Sequence, residues 1–204
     1  MRGDERTAAA GPPRGMTEAV RGLIRDHRIT ISFLLSLLVL MTAHPTVRSI
    51  VGGLPLVLLG EALRTWASGY LRKDDELTVS GPYAYSRNPL YLGSFILGLG
   101  FSVMTGWWWM VAVFAAVFLF MYRTTIRREE DTLAAKFGAR FEGYRAAVPW
   151  LFPRWPAPPL DGAPRQTFEW RLVKKHREFN TWLGLLGAVL LMVGIMNLRG
   201  TWGV

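Results

Sequence analysis

Two blocks of the sequence hold residue types that could do chemistry together. The first is ELTVSGPYAYSRNPLYLG, residues 76–93. Gly81-Pro82 breaks the chain there, and Asn88-Pro89 starts a helix, with Asn88 as cap and Pro89 in the first helical position. Free N–H groups at such a start suit a carboxylate. Tyr83, Tyr85 and Tyr91 cluster with Arg87, and their rings can stack on a flat base or surround a cation. An interfacial Tyr/Arg anchor accounts for the same residues. The second block is RREEDTLAAKFGARFEGY, residues 127–144, where Glu129-Glu130-Asp131 opposes Arg127-Arg128. Arg123, Arg127 and Glu130 share one helical face. A solvated charge run is the plain alternative. A third candidate is Glu61 with Arg64, three apart inside an apolar run. An ionisable residue at membrane depth suggests function. A mutual ion pair, with Arg64 snorkelling to the inner face, fits equally well.

The elements that position these residues are membrane helices. Five apolar stretches recur, at about 29–43, 50–67, 90–105, 107–122 and 181–198. Their lengths lie near the short end of the roughly 17–25 residues needed to span a bilayer. The fourth continues beyond the membrane, from Trp107 through Lys136 to Phe137-Gly138, where Gly138 suits the C′ position. A short helix over 139–147 follows and ends before Pro149. Residues 149–164 form a Pro-rich break. Residues 165–180 read as a basic amphipathic stretch in the headgroup plane, with Phe168, Leu172 and Phe179 roughly on one side. Trp107, Trp108 and Trp109 read as an interfacial belt.

Composition agrees. Half of the 204 residues are hydrophobic and only 19% are charged, against about 25% in a soluble domain. There is no Cys, which excludes disulfides, thiolate metal sites and Cys nucleophiles. His27, His44 and His176 are widely spaced, so no metal centre is expected. With the N-terminus in the cytoplasm, all but Arg48 and Arg199 of the 24 Lys and Arg fall inside, which fixes the topology. The +9 charge is then topogenic and lipid-facing, not a sign of nucleic acid. The external loops are short, so a water-soluble cofactor must bind at 68–89 and 123–180. A prokaryotic cytoplasmic membrane is expected.

In order, the GPYxYxRxPxYxG turn and the later EE…L…FG…Y…VP…P pattern resemble the isoprenylcysteine carboxyl methyltransferase family. That membrane superfamily includes phospholipid methyltransferases. Gly81, Pro82, Tyr83, Tyr85, Arg87, Pro89, Tyr91 and Gly93 match, as do Glu129, Glu130, Leu133, Phe137, Gly138, Tyr144, Val148, Pro149 and Pro153. The likeness covers roughly residues 50–155. It implies an S-adenosylmethionine-dependent methyltransferase with a lipophilic acceptor that enters from the bilayer. The resemblance implies cofactor contacts from Leu77, Thr78, Tyr83, Arg87, Asn88, Tyr91 and Glu129. Glu130, Arg127 and Tyr144 are the catalytic candidates, and no metal is implied.

The chain departs from the family at three places. It has Arg87-Asn88-Pro89 where Arg-His-Pro is usual, and some phospholipid methyltransferases share the Asn. Thr125 and Ala147 stand where prenylcysteine enzymes carry basic residues, which favours a lipid amine or other small lipophile over a prenylcysteine carboxylate. The amphipathic stretch and fifth span lie beyond the family core. The expected organisation is therefore all-α with about five transmembrane helices. It comprises a disordered basic segment (1–28), a methyltransferase core (29–155), a linker with an interfacial helix (156–180) and a C-terminal span (181–204). Gly184, Gly187 and Gly194 on that last span suggest a homodimer contact. The competing functions are a non-enzymatic lipid- or cofactor-binding module and an NADPH-dependent membrane reductase.

Overall fold

A computed structural model describes residues 39–72, 76–159 and 165–202. The chain divides into two units, Met1–Thr42 and Ala43–Val204. Of the first, only residues 39–42 are described, and they are helical. The expected N-terminal segment 1–28 and most of the first expected span therefore lie outside the described residues.

Thr46 starts helix α1, Val47–Ser68, through a reciprocal cap. Its hydroxyl accepts the Ser49 N–H at 3.1 Å, and the Ser49 hydroxyl accepts the Thr46 N–H at 2.9 Å. The 22 residues extend about 33 Å at ~1.5 Å each, enough for a ~30 Å hydrocarbon core. A single 3-10 turn, Gly81–Ala84, precedes α2, Pro89–Met104. Gly106, at φ 80°, turns the chain into α3, Trp108–Phe137. Helix α4, Ala139–Ala147, follows. The short α5, Trp170–Lys175, and the long α6, Glu178–Arg199, complete the chain.

Helices α1, α3 and α6 are long and apolar enough to cross a membrane, and α2 is apolar but shorter, at 16 residues. Large apolar side chains point outward along them: Leu58 is 61% exposed, Phe120 82% and Leu190 60%. Lipid accommodates such faces on helices whose backbone groups are internally bonded. The protein is an all-helical integral membrane protein, with no strand among the described residues.

Helices α1 and α2 run antiparallel in close backbone contact. A Cβ on Gly60 would lie 2.6 Å from the Gly93 carbonyl, and one on Gly93 would lie 2.8 Å from the Gly60 carbonyl. Gly53 and Gly100 repeat the approach two turns away. In lipid the apolar effect between helices is weak, so such close packing supplies the association.

Helix α3 has the expected extent. Its 30 residues measure about 45 Å at ~1.5 Å each, longer than the hydrocarbon core. Gly138, at φ 54°, closes it where expected. The amphipathic stretch at 165–180 is not one helix. Helix α5 has six residues, and Arg177, at φ 57°, breaks it from α6. The cause is packing. Leu172 and Val173 are buried, and Phe168 fills the space left by the missing side chain of Gly69. After the break, Glu178 faces Arg64 of α1. The glycines Gly184, Gly187 and Gly194 have no neighbour within 4 Å of an added Cβ.

Candidate active site

The turn before α2 and the far half of α3 meet, as the motif pairing requires. At the meeting point the Tyr91 hydroxyl donates to the Glu129 carboxylate at 2.6 Å. Tyr91 lies in the first turn of α2, and Glu129 is exposed on α3. Tyr91 also packs against Tyr122, with ring centroids 5.1 Å apart. One step along α3, Glu130 turns inward. Its Oε1 lies 2.9 Å from Arg87 Nε, with both side chains about nine-tenths buried. Neither atom completes a well-aligned hydrogen bond, so this is a charge contact that holds the turn against α3. The Arg87 guanidinium also donates to the Arg145 carbonyl on α4.

Asn88 occupies the N-cap position of α2, but its side chain does not cap the helix. Its amide donates instead to the Trp150 carbonyl at 2.7 Å. This corrects the sequence expectation, and the reason is the neighbouring loop. Residues 149–155 fold back on the turn. The Arg87 N–H donates to the Pro149 carbonyl at 2.9 Å, and the Ser86 hydroxyl to the Leu151 carbonyl at 2.6 Å. The Arg154 N–H donates to the Tyr85 carbonyl at 3.0 Å, and the Trp155 and Tyr85 rings stack at 5.1 Å. The first part of the Pro-rich break is thus a bonded wall of the site. Because the Asn88 side chain is spent there, the start of α2 keeps uncapped N–H donors of the kind that bind anions.

Tyr144 is buried, and its hydroxyl donates to the Tyr83 carbonyl at 2.7 Å. Burial pushes both phenols above their ordinary pKa. Buried in this way, Tyr144 fixes the turn through a hydrogen bond and holds its proton tightly. Leu77 packs with Val79, Phe141, Tyr144 and Val148 in one apolar cluster. The Thr78 hydroxyl accepts the Arg72 N–H at 3.1 Å. Arg127 is exposed. Of the ten expected residues, Tyr91 and Glu129 thus form an accessible corner. Arg87, Asn88, Glu130, Tyr83 and Tyr144 brace it, Leu77 and Thr78 lie in packed layers behind, and Arg127 stands on the outer face.

Sequence reasoning missed Gln166. Its side chain accepts the Val79 N–H at 3.0 Å and donates to the Leu77 carbonyl at 3.1 Å. The Glu169 carboxylate accepts from Arg72 at 2.8 Å. The segment after the Pro-rich break therefore pairs with the loop that carries the expected cofactor contacts. A lone Gln between prolines and basic residues gives no periodic signal, and only the buried loop backbone that needs a partner explains it.

Comparison with known proteins places the chain in a class. The phospholipid methyltransferase family matches residues 56–140, which hold both the turn and Glu129. The cobalt-zinc-cadmium resistance protein CzcN of Cupriavidus metallidurans is 33% identical over 156 residues, covering 70% of this chain and 71% of that protein. The nickel-cobalt-cadmium resistance protein NccN of Alcaligenes xylosoxydans xylosoxydans is 37% identical over 93 residues, 45% of this chain and 43% of its own length. The protein-S-isoprenylcysteine O-methyltransferase of Schizosaccharomyces pombe is 33% identical over 101 residues, 50% of this chain and 43% of its own. The chain thus matches less than half the length of the last two. No solved structure matches it. The chain belongs to the membrane methyltransferase family that holds the phospholipid and isoprenylcysteine enzymes.

Proposed function

We propose that this protein transfers a methyl group from S-adenosylmethionine to a lipophilic acceptor at the cytoplasmic face of a membrane. The observation that carries the reading is the Tyr91–Glu129 hydrogen bond, which joins the two motif blocks beside the uncapped start of α2. The donor set fits the cofactor. A carboxylate accepts hydrogen bonds from ribose hydroxyls or an ammonium group, and helix N–H groups donate to a carboxylate. Glu129 and the first turn of α2 are the proposed contacts, with the Tyr91 and Tyr122 rings able to flank a cation. When bound, the cofactor supplies a methyl group on a sulfonium, which departs as a neutral thioether.

The remaining residues act by positioning. The Glu130–Arg87 contact keeps the turn on α3, and the Tyr144 hydroxyl holds the Tyr83 carbonyl. Alignment of this kind, with exclusion of water, supplies most of the rate in a displacement reaction. The distribution of Lys and Arg supports a cytoplasmic position for the corner. A lipid amine or another small lipophile is the favoured acceptor, because Thr125 and Ala147 supply no cation for a substrate carboxylate. A neutral amine forms the N–C bond as the S–C bond breaks, and the resulting ammonium then releases its extra proton to solvent.

The test is transfer of labelled methyl from S-adenosylmethionine to a total membrane lipid extract by detergent-solubilised protein. Label should enter the lipid fraction with the unmodified protein and fall at least about tenfold with Glu129→Gln. Equal incorporation by the two proteins would remove Glu129 from the site. No incorporation into any lipid or lipophile would favour a binding module.

A further inference from the structure

A second site-like feature lies away from the Tyr91–Glu129 corner and shares no residue with it. A groove of about 640 Å³ runs between α1 and α6, with Leu58, Trp182, Leu186 and Phe168 in its walls. That volume falls in the roughly 300–1,000 Å³ range of small-ligand pockets. Two polar side chains interrupt the apolar lining, Glu61 and Thr65.

Glu61 is only 9% exposed, and its Oε2 accepts no hydrogen bond. Its other oxygen accepts from the Thr65 hydroxyl at 3.3 Å. The nearest cation, Arg64, is committed elsewhere. It donates to both oxygens of Glu178 at 3.1 Å and to the Ser94 hydroxyl, leaving Glu61 a 3.6 Å contact at Nε. The Trp182 indole N–H donates to the Thr65 hydroxyl at 3.1 Å. The cluster therefore sets two carboxylates against one guanidinium, and the one left over lines the groove.

A buried carboxylate without a full partner is costly in a low-dielectric setting. Apolar walls alone select nothing in a membrane, because lipid tails are as apolar as leucine. Charge is what can distinguish one amphiphile from another here. We propose that the α1–α6 groove binds a membrane amphiphile with a protonated amine or quaternary ammonium head, its chain along the groove and its cation on Glu61. The Trp182 ring in the same wall adds a surface suited to a cation.

The experiment uses the full chain in a nonionic maltoside detergent. It is photolabelled with hexadecylamine carrying a diazirine in its chain, and in parallel with the matching alcohol. Labelled peptides from α1 and α6 are then quantified. The amine should label these helices about tenfold more than the alcohol. Glu61→Gln should bring the amine down to the alcohol level, and Leu186→Trp, which fills the groove, should reduce both probes. Equal labelling by amine and alcohol in the unmodified protein overturns the proposal, as does undiminished amine labelling in Glu61→Gln. Should Glu61→Gln fail to fold, competition on the unmodified protein decides. Hexadecyltrimethylammonium should displace the amine probe and hexadecyl sulfate should not, and equal displacement by the two overturns the assignment.

Discussion

Glu129 and Glu130 are neighbours with opposite surroundings. One helical step of about 100° separates a carboxylate open to a ligand from one buried against Arg87. Their substitutions should therefore separate binding from folding. Glu129→Gln should weaken S-adenosylmethionine binding about tenfold with little change in melting temperature. Glu130→Gln leaves the Arg87 charge without its carboxylate, and it should cost about 3 kcal/mol of stability in denaturant titration. The reverse pattern would exchange the two roles. Tyr83 and Tyr144 give a pH prediction, because burial raises both phenols above their ordinary value. Unfolded phenols ionise near about 10. The folded state keeps these two protonated, so their contribution is full below that pH and is lost as pH rises above it. In an alkaline titration followed by tyrosinate absorbance, Tyr83 and Tyr144 should ionise only as the protein unfolds, and Tyr91, raised by burial and by its bond to Glu129, should also ionise late. Ionisation of all six tyrosines in the native protein would contradict the buried hydrogen bond.

At the scale of elements, the site depends on the α1–α2 contact, because α2 carries the turn and Tyr91. Gly60→Ala would push a Cβ to 2.6 Å from the Gly93 carbonyl, whereas an added Cβ on Gly52 meets only Val103 at 3.8 Å. Gly60→Ala should lower the melting temperature and weaken cofactor binding, while Gly52→Ala changes neither. Matched effects from the two would show that the close approach is unimportant. Much of this arrangement was legible in the sequence. The long α3 and its Gly138 stop followed from an uninterrupted helical pattern and one glycine. Helix α4 followed from Pro149 beyond its end. Pro89 marked the start of α2. What escaped was set by tertiary contacts that no local pattern encodes. Asn88 satisfied the rule for a cap, yet the Trp150 carbonyl claimed its amide. The 165–180 stretch had amphipathic spacing, yet the Gly69–Phe168 fit and the pull of Arg64 on Glu178 broke it at Arg177. Gln166 sat in a segment without periodicity and was visible only through the backbone groups that it satisfies.

At the scale of the molecule, among the described residues, the turn, the far half of α3, α4 and the returning loop 149–155 meet in one polar region. The long apolar helices carry exposed apolar side chains along their length. Under the proposed function, a lipophilic acceptor approaches through the bilayer while a water-soluble cofactor comes from the aqueous side. Methyl transfer as proposed requires that this region bind S-adenosylmethionine. Calorimetric titration of the purified full chain with S-adenosylmethionine, S-adenosylhomocysteine and NADPH tests it most directly. Saturable, roughly micromolar binding of the two sulfur ligands is expected, weakened about tenfold in Glu129→Gln, with no binding of NADPH. Folded protein that binds neither sulfur ligand would contradict it, and binding of NADPH alone would replace methyl transfer with reduction.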